Sequence, residues 1–359
     1  MAAPTASDGA VDAPDLDRPP SGLGPLARPG RLAVVAVAVG ALPLVVAVIA
    51  LGRTPWYPIG DLAQAALRMQ SFWGDPPLVG PAGRIGTFGQ QGNHPGPLMF
   101  WAAWPVWRLL GGSGWAYEAS VAVLAVGAYA ATVAAGLRHR GSRLALALAL
   151  VGAVLLRSFG ASALTRPWNP YMPLVPYLAF VVLCWLAVCG RAKALPLAVA
   201  AGCYCVQCHV GYAPAVVAGI GVATVGLVVD ARRRGRAWRT PLVAVAVAVL
   251  AGVVLWIPPV IDQAIHDPGN LRILLDTYRQ QTGHVIGLGK GGRIFLTQLD
   301  PVGNWLLGTR RIEGSVIGGL VLLAAWAASV VLAWRRRHRD LLRLDLVVGV
   351  QLVFALYWA

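Results

Sequence analysis

Along the chain, apolar stretches alternate with short links rich in arginine. The stretches are 32–51, 116–137, 144–160, 171–189, 195–209, 212–229, 241–260, 315–334 and 345–359. Most reach the length that a helix needs to cross a hydrocarbon core of about 30 Å. The pattern predicts an all-α fold, a polytopic transmembrane helical bundle of about nine spans. One apolar stretch is set aside. Residues 97–110 would reach only about 21 Å as a helix, and they contain Pro105. Trp101, Trp104 and Trp107 recur there at helical spacing, as in an aromatic belt. This segment is expected to lie in the membrane interface as a juxtamembrane helix. A second amphipathic piece, Asp61 to Trp73, carries Leu62, Ala66, Met69 and Trp73 on one face.

The links orient the bundle. With the N-terminus inside, 18 of the 30 lysines and arginines fall on the cytoplasmic side, mostly in brief clusters. The remainder are spread over longer outer segments, so the positive-inside rule favours a cytoplasmic N-terminus and a multi-pass cell-membrane protein. Counting 97–110 as a span would move every later arginine cluster outside. The domain plan is then a disordered tail at 1–30, rich in Pro, Gly and Asp, and a membrane domain at 31–359. Outer segments lie at 52–115 and 261–314. The second is polar, glycine-rich near Gly287 to Gly292, and expected to be mobile. The acids Asp8, Asp12, Asp15 and Asp17 precede the first apolar run, which reads as an uncleaved span rather than a signal peptide. The chain stops inside an apolar run, at Phe354 to Ala359, which reads as a truncation.

Composition supports this class. Hydrophobic residues make up 57% and charged residues 13%, with a mean hydropathy of +0.64; soluble chains carry about 25% charged residues. The net charge of +15 suggests nucleic acid until the arginines are located. They cluster between apolar stretches, with no basic stripe interleaved with aromatics, so no nucleic-acid partner is expected. Membrane lipids are.

Four places carry candidate chemistry. Asp61 follows Gly60 after the first span, where it reads as a helix N-cap or a general base at the outer interface. His94, in Asn93-His94-Pro95-Gly96-Pro97-Leu98, leads into the tryptophan-rich segment, as a helix start or a hydrogen-bonding group for a phosphate or hydroxyl. Arg166, Trp168 and Asn169 fall in Thr165-Arg166-Pro167-Trp168-Asn169-Pro170-Tyr171, a turn or an anion and sugar site. Cys205-Val206-Gln207-Cys208-His209 matches the c-type haem attachment pattern. It falls in a tight hairpin between two spans, so packing cysteines and an interfacial His209 are the expected reading. No metal and no cofactor is expected. Gly287-Leu288-Gly289-Lys290-Gly291-Gly292 lacks the Walker spacing.

Three of these strings, in this order and on one face, resemble the GT-C fold glycosyltransferases. They are Gly60-Asp61, Asn93-His94-Pro95-Gly96-Pro97-Leu98 and Pro167-Trp168-Asn169-Pro170-Tyr171, joined by His209-Val210-Gly211-Tyr212. The likeness is greatest to membrane proteins of high-GC actinobacteria related to that fold, and covers about 31–359 in layout. It implies transfer of a sugar, with inversion, from a polyprenyl-phosphate donor to a cell-envelope glycan, lipid or protein acceptor. Asp61 would be the base; His94, Arg166, Trp168, Asn169 and His209 would bind donor or acceptor. The sequence departs from the pattern in three ways. Leu62 and Ala63 stand where relatives carry a second acid, Asn169-Pro170 stands for Asp-Pro, and Gly96 is an extra glycine. The alternative is a transporter or flippase of lipid-linked sugars, which should place ionisable groups at the midplane of its spans.

Overall fold

The computed structural model describes residues 29–87, 89–280, 286–306 and 314–358. The expected disordered tail lies almost wholly outside the described residues. The described chain is nearly all helix. In order, it forms α1 (Pro29–Leu51), α2 (Asp61–Gln70), strands β1 (Ala82–Thr87) and β2 (Gln90–Asn93), α3 (Leu98–Leu109) and α4 (Gly114–Phe159). The short α5 (Ala161–Leu164), α6 (Leu174–Val188), α7 (Ala194–Cys208) and a 3₁₀ turn (Val210–Tyr212) follow. Then come α8 (Ala213–Arg233), α9 (Arg239–Leu255), α10 (Ile257–Ile265), α11 (Asn270–Arg279) and α12 (Gly287–Leu299). A π-helical turn (Pro301–Leu306), α13 (Val316–Arg335) and α14 (Arg339–Trp358) complete it.

Four helical units are long and apolar enough to cross a membrane: α1, α4, α8 with its leading turn, and α13. A fifth joins them if α9 and α10, which meet at 44°, are one bent span. The nine spans expected are thus only partly matched. The apolar α6 and α7 have 15 residues each, about 22 Å. The 46-residue α4 is two helices. Its backbone leaves helical geometry at Arg140 and Gly141, the latter at φ 72°, a conformation that glycine adopts without strain. The two halves fold back on each other. Tyr129, fully buried, lays its ring where Gly152 lacks a side chain and donates to the Ala149 carbonyl at 2.8 Å. Small residues recur along the seam (Gly136, Ala145, Ala149), as expected where close backbone approach holds helices together in lipid.

Three buried clusters build the bundle. One joins α1 to the α4 hairpin, one joins α6, α7, α8, α9 and α14, and one packs α2 and α3 onto the start of α4. The tryptophan-rich helix α3 has 12 residues, about 18 Å, too short to cross. Its Met99, Phe100 and Ala103 are fully buried against the bundle. Trp104 stacks on Phe72, and Trp101 donates to the Pro77 carbonyl at 3.0 Å.

The two long connecting segments contain structure that the hydropathy pattern did not show. The hairpin β1–β2 interrupts an otherwise helical fold. Within 261–314, expected to be mobile, the described residues form the end of α10, then α11 and α12. Even the run from Leu288 to Gly292 is helical, and Phe295 of α12 is buried. Asp300 accepts backbone N–H groups from Val302 and Ser315, fastening the entry to α13.

Candidate functional site

The starts of α4 and α8 and the ends of α7 and α9 gather at one end of the bundle, and the arginine-rich links lie at the opposite ends of α7, α8 and α9 and at the break within α4. At the first end, α10, α11 and the loop carrying β1 and β2 enclose a cavity of about 580 Å³. Asp75, Asp262, Asp267, His266, Arg68 and Asn93 line it.

Its floor is fixed by a chain of hydrogen bonds. The Asp262 carboxylate is buried. Its Oδ2 accepts the Asn270 backbone N–H at 2.9 Å, and its Oδ1 lies 3.0 Å from His266 Nδ1. The Asn270 side chain then grips the hairpin strand. Its Oδ1 accepts the Asn93 N–H at 2.7 Å, and its Nδ2 donates to the Asn93 carbonyl at 3.1 Å. Residues 177 apart in sequence are joined in this way. The spacing Asp262, His266, Asn270 puts all three on one side of a helical path, yet α10 ends at Ile265. His266 is more than half exposed, on the cavity wall. With the proton on Nδ1, the carboxylate holds the ring and Nε2 is left as the basic nitrogen, the arrangement of an oriented general base.

Beside this cavity lies the histidine pair. His94 is buried; its Nδ1 accepts the Val210 N–H at 3.2 Å, and its ring lies 4.7 Å from that of His209. Burial, and secondarily the neighbouring His209, push its pKa down to about 4. His94 is therefore neutral near pH 7, a hydrogen-bonding group rather than a cation. His209 Nδ1 accepts the Gly211 N–H. Asn169, also buried, donates to the Cys208 carbonyl at 3.2 Å, which brings the Trp168 turn against the end of α7. Trp168 packs edge-on against Tyr171. His94, His209 and Asn169 thus meet at the end of α7.

The other two candidates lie elsewhere. Asp61 is exposed, at the first residue of α2, and does not line the cavity. The N-cap is Gly60, whose carbonyl accepts the Ala63 and Gln64 N–H groups, and no side chain caps the helix. Arg166 is exposed and acts electrostatically on Glu118, a buried acid in the second turn of α4 whose Oε2 has no hydrogen-bond partner.

Gly96, the extra glycine of the His94 string, has a packing role. A Cβ there would stand 2.2 Å from Oε1 of Gln207, which is fully buried and donates to the Leu255 carbonyl. Cys205 and Cys208 are fully buried thiols on α7. Sequence reasoning missed Asp262, His266 and Asn270 because they fall in a segment read as mobile. Their i, i+4, i+8 spacing was the available signal.

One trio elsewhere, His139, Cys189 and Asp340, brings its potential ligand atoms within 4.8 Å of one another. Arg140 and Arg343 both pair with Asp340, and Arg191 donates to His139 Nδ1 at 3.1 Å. The guanidinium groups already occupy these acceptors, so the trio fits a salt-bridge cluster better than a cation site.

Compared with known proteins, the chain matches no family model, and no curated protein or solved structure is detectably similar to it.

Proposed function

We propose that this protein is a multi-pass membrane glycosyltransferase with a cytoplasmic N-terminus and about nine spans. It would move a sugar from a polyprenyl-phosphate donor to a cell-envelope acceptor at the outer face. The observation that carries the reading is the Asp262–His266 pair on the wall of a cavity beside the tryptophan-rich helix, at the end away from the arginine clusters. The resemblance in the Gly60-Asp61, His94 and Asn169 strings supplies the reaction class.

In this mechanism His266 Nε2 takes the proton of the acceptor hydroxyl, and Asp262 stabilises the resulting imidazolium. The acceptor oxygen bonds to the anomeric carbon as the carbon–oxygen bond to phosphate breaks. The electron pair leaves with the polyprenyl phosphate, and the anomeric centre inverts. Arg68, on the same cavity wall, would meet the departing charge. This places the base at His266, where the resemblance implies Asp61.

The test is transfer from a polyprenyl-phosphate sugar in detergent at matched expression. His266→Gln should lower turnover by at least about 100-fold, and Asp61→Asn should be mild. The reverse pattern would return the base to Asp61. Full activity in both variants would remove the mechanism. Glu118 and Asp345, buried acids within apolar helices, and the bent α9–α10 unit favour a second reading, a transporter of lipid-linked sugars. Uptake into proteoliposomes without bond breakage would establish it.

A further inference from the structure

The arginine-rich end of the bundle carries a groove that the transfer chemistry does not use. On α8, Gly221, Val225, Val229 and Arg233 follow one another at four-residue spacing, so they form one row along the helix. Gly221, Val225 and Val229 are all exposed, with Val225 at 63%. With Val188 and Leu346 they line an apolar cavity of about 460 Å³, which also reaches Arg233 and Arg343. A second cavity, of about 520 Å³, is lined by Arg233, Arg339, Arg343, Leu342 and Leu346. Three residues are shared, so the two cavities adjoin: an apolar trough beside a pocket of guanidinium groups.

Two features give this groove an occupant. The first is charge. The carboxylates here pair with other arginines: Asp230, which lines the apolar cavity, takes Arg234 at 2.9 Å and Arg343 at 2.6 Å through Oδ1, and Asp340 takes Arg140 and Arg343. Among the described residues, Arg233 and Arg339 have no carboxylate within ion-pair distance. The pocket therefore holds uncompensated positive charge over an apolar trough. The second is length. From Gly221 to Arg233 the row rises about 18 Å, slightly more than one leaflet of a core about 30 Å thick. We infer that this groove binds one anionic phospholipid, its phosphate between Arg233 and Arg339 and an acyl chain along the Gly221–Val229 row. A zwitterionic lipid brings its own cation to the same pocket and is disfavoured. The inference rests on the chain lying in a membrane, and not on the transferase reading.

The test uses the full chain in nanodiscs of phosphatidylcholine with or without phosphatidylglycerol, and native mass spectrometry after release into detergent. Flotation with phosphatidylcholine vesicles checks membrane insertion separately. The wild type should retain one phosphatidylglycerol and gain thermal stability from it. Each of Arg233→Gln and Arg339→Gln should weaken retention about fivefold, the value of one basic residue near an anionic surface. Gly221→Phe should also weaken it, since an added Cβ there meets nothing within 4 Å and the ring would fill the trough instead. Inorganic phosphate should not substitute. Equal retention by wild type and the double arginine variant overturns the proposal. So does stabilisation by inorganic phosphate that matches phosphatidylglycerol and is indifferent to Gly221→Phe.

Discussion

Because His94 is buried against Val210 and His209, its neutral form should make folding depend on pH. Its pKa is depressed from 6.5 to about 4 in the folded protein. Between these values the unfolded chain binds the proton more readily than the folded one, so stability rises with pH. The contribution is complete above pH 6.5 and is lost as pH falls toward 4. The full shift corresponds to about 3 kcal/mol, and about 2 kcal/mol of it is gone by pH 5. The perturbation is His94→Asn, whose side-chain oxygen still accepts the Val210 N–H but does not titrate. Thermal unfolding in detergent at pH 7.5 and pH 5 provides the assay. The wild type should lose several degrees more than the variant over this interval. Equal acid sensitivity in the two proteins would refute the reasoning and place the acid-labile group elsewhere.

Two further outcomes follow from packing and topology. Gly96→Ala should cost about 1–3 kcal/mol by overpacking against Gln207, and the same substitution in a Gln207→Ala background should cost much less. A difference below about 0.5 kcal/mol between the two backgrounds would show that the contact is not tight. The five native cysteines are buried, so Ser113→Cys and Ser142→Cys in the wild-type background test the topology in intact cells with an impermeant thiol reagent. Labelling at Ser113 and not at Ser142 is expected; labelling at Ser142 would invert the bundle.

The alternation of apolar stretches with arginine links was enough to place most of the helices. Hydropathy over a window of span length depends only on local composition, so α1, α8 and α13 lie where the pattern puts them. The same logic excluded α3 as a span, since twelve residues with Pro105 are too few to cross whatever they pack against. The meeting of His94, His209 and Asn169 was partly legible from residue type, because they are polar groups in the links between apolar stretches. The rest required tertiary structure. Asp262 and His266 sit in a segment of ordinary polarity; their meaning comes from Asn270, which ties α11 to a strand 177 residues earlier. Asp61 follows the first apolar stretch in sequence, and its exposure is a property of the fold. Long-range hydrogen bonds and cavities are properties of which surfaces meet, and a local pattern of hydrophobic and polar positions carries no information about that.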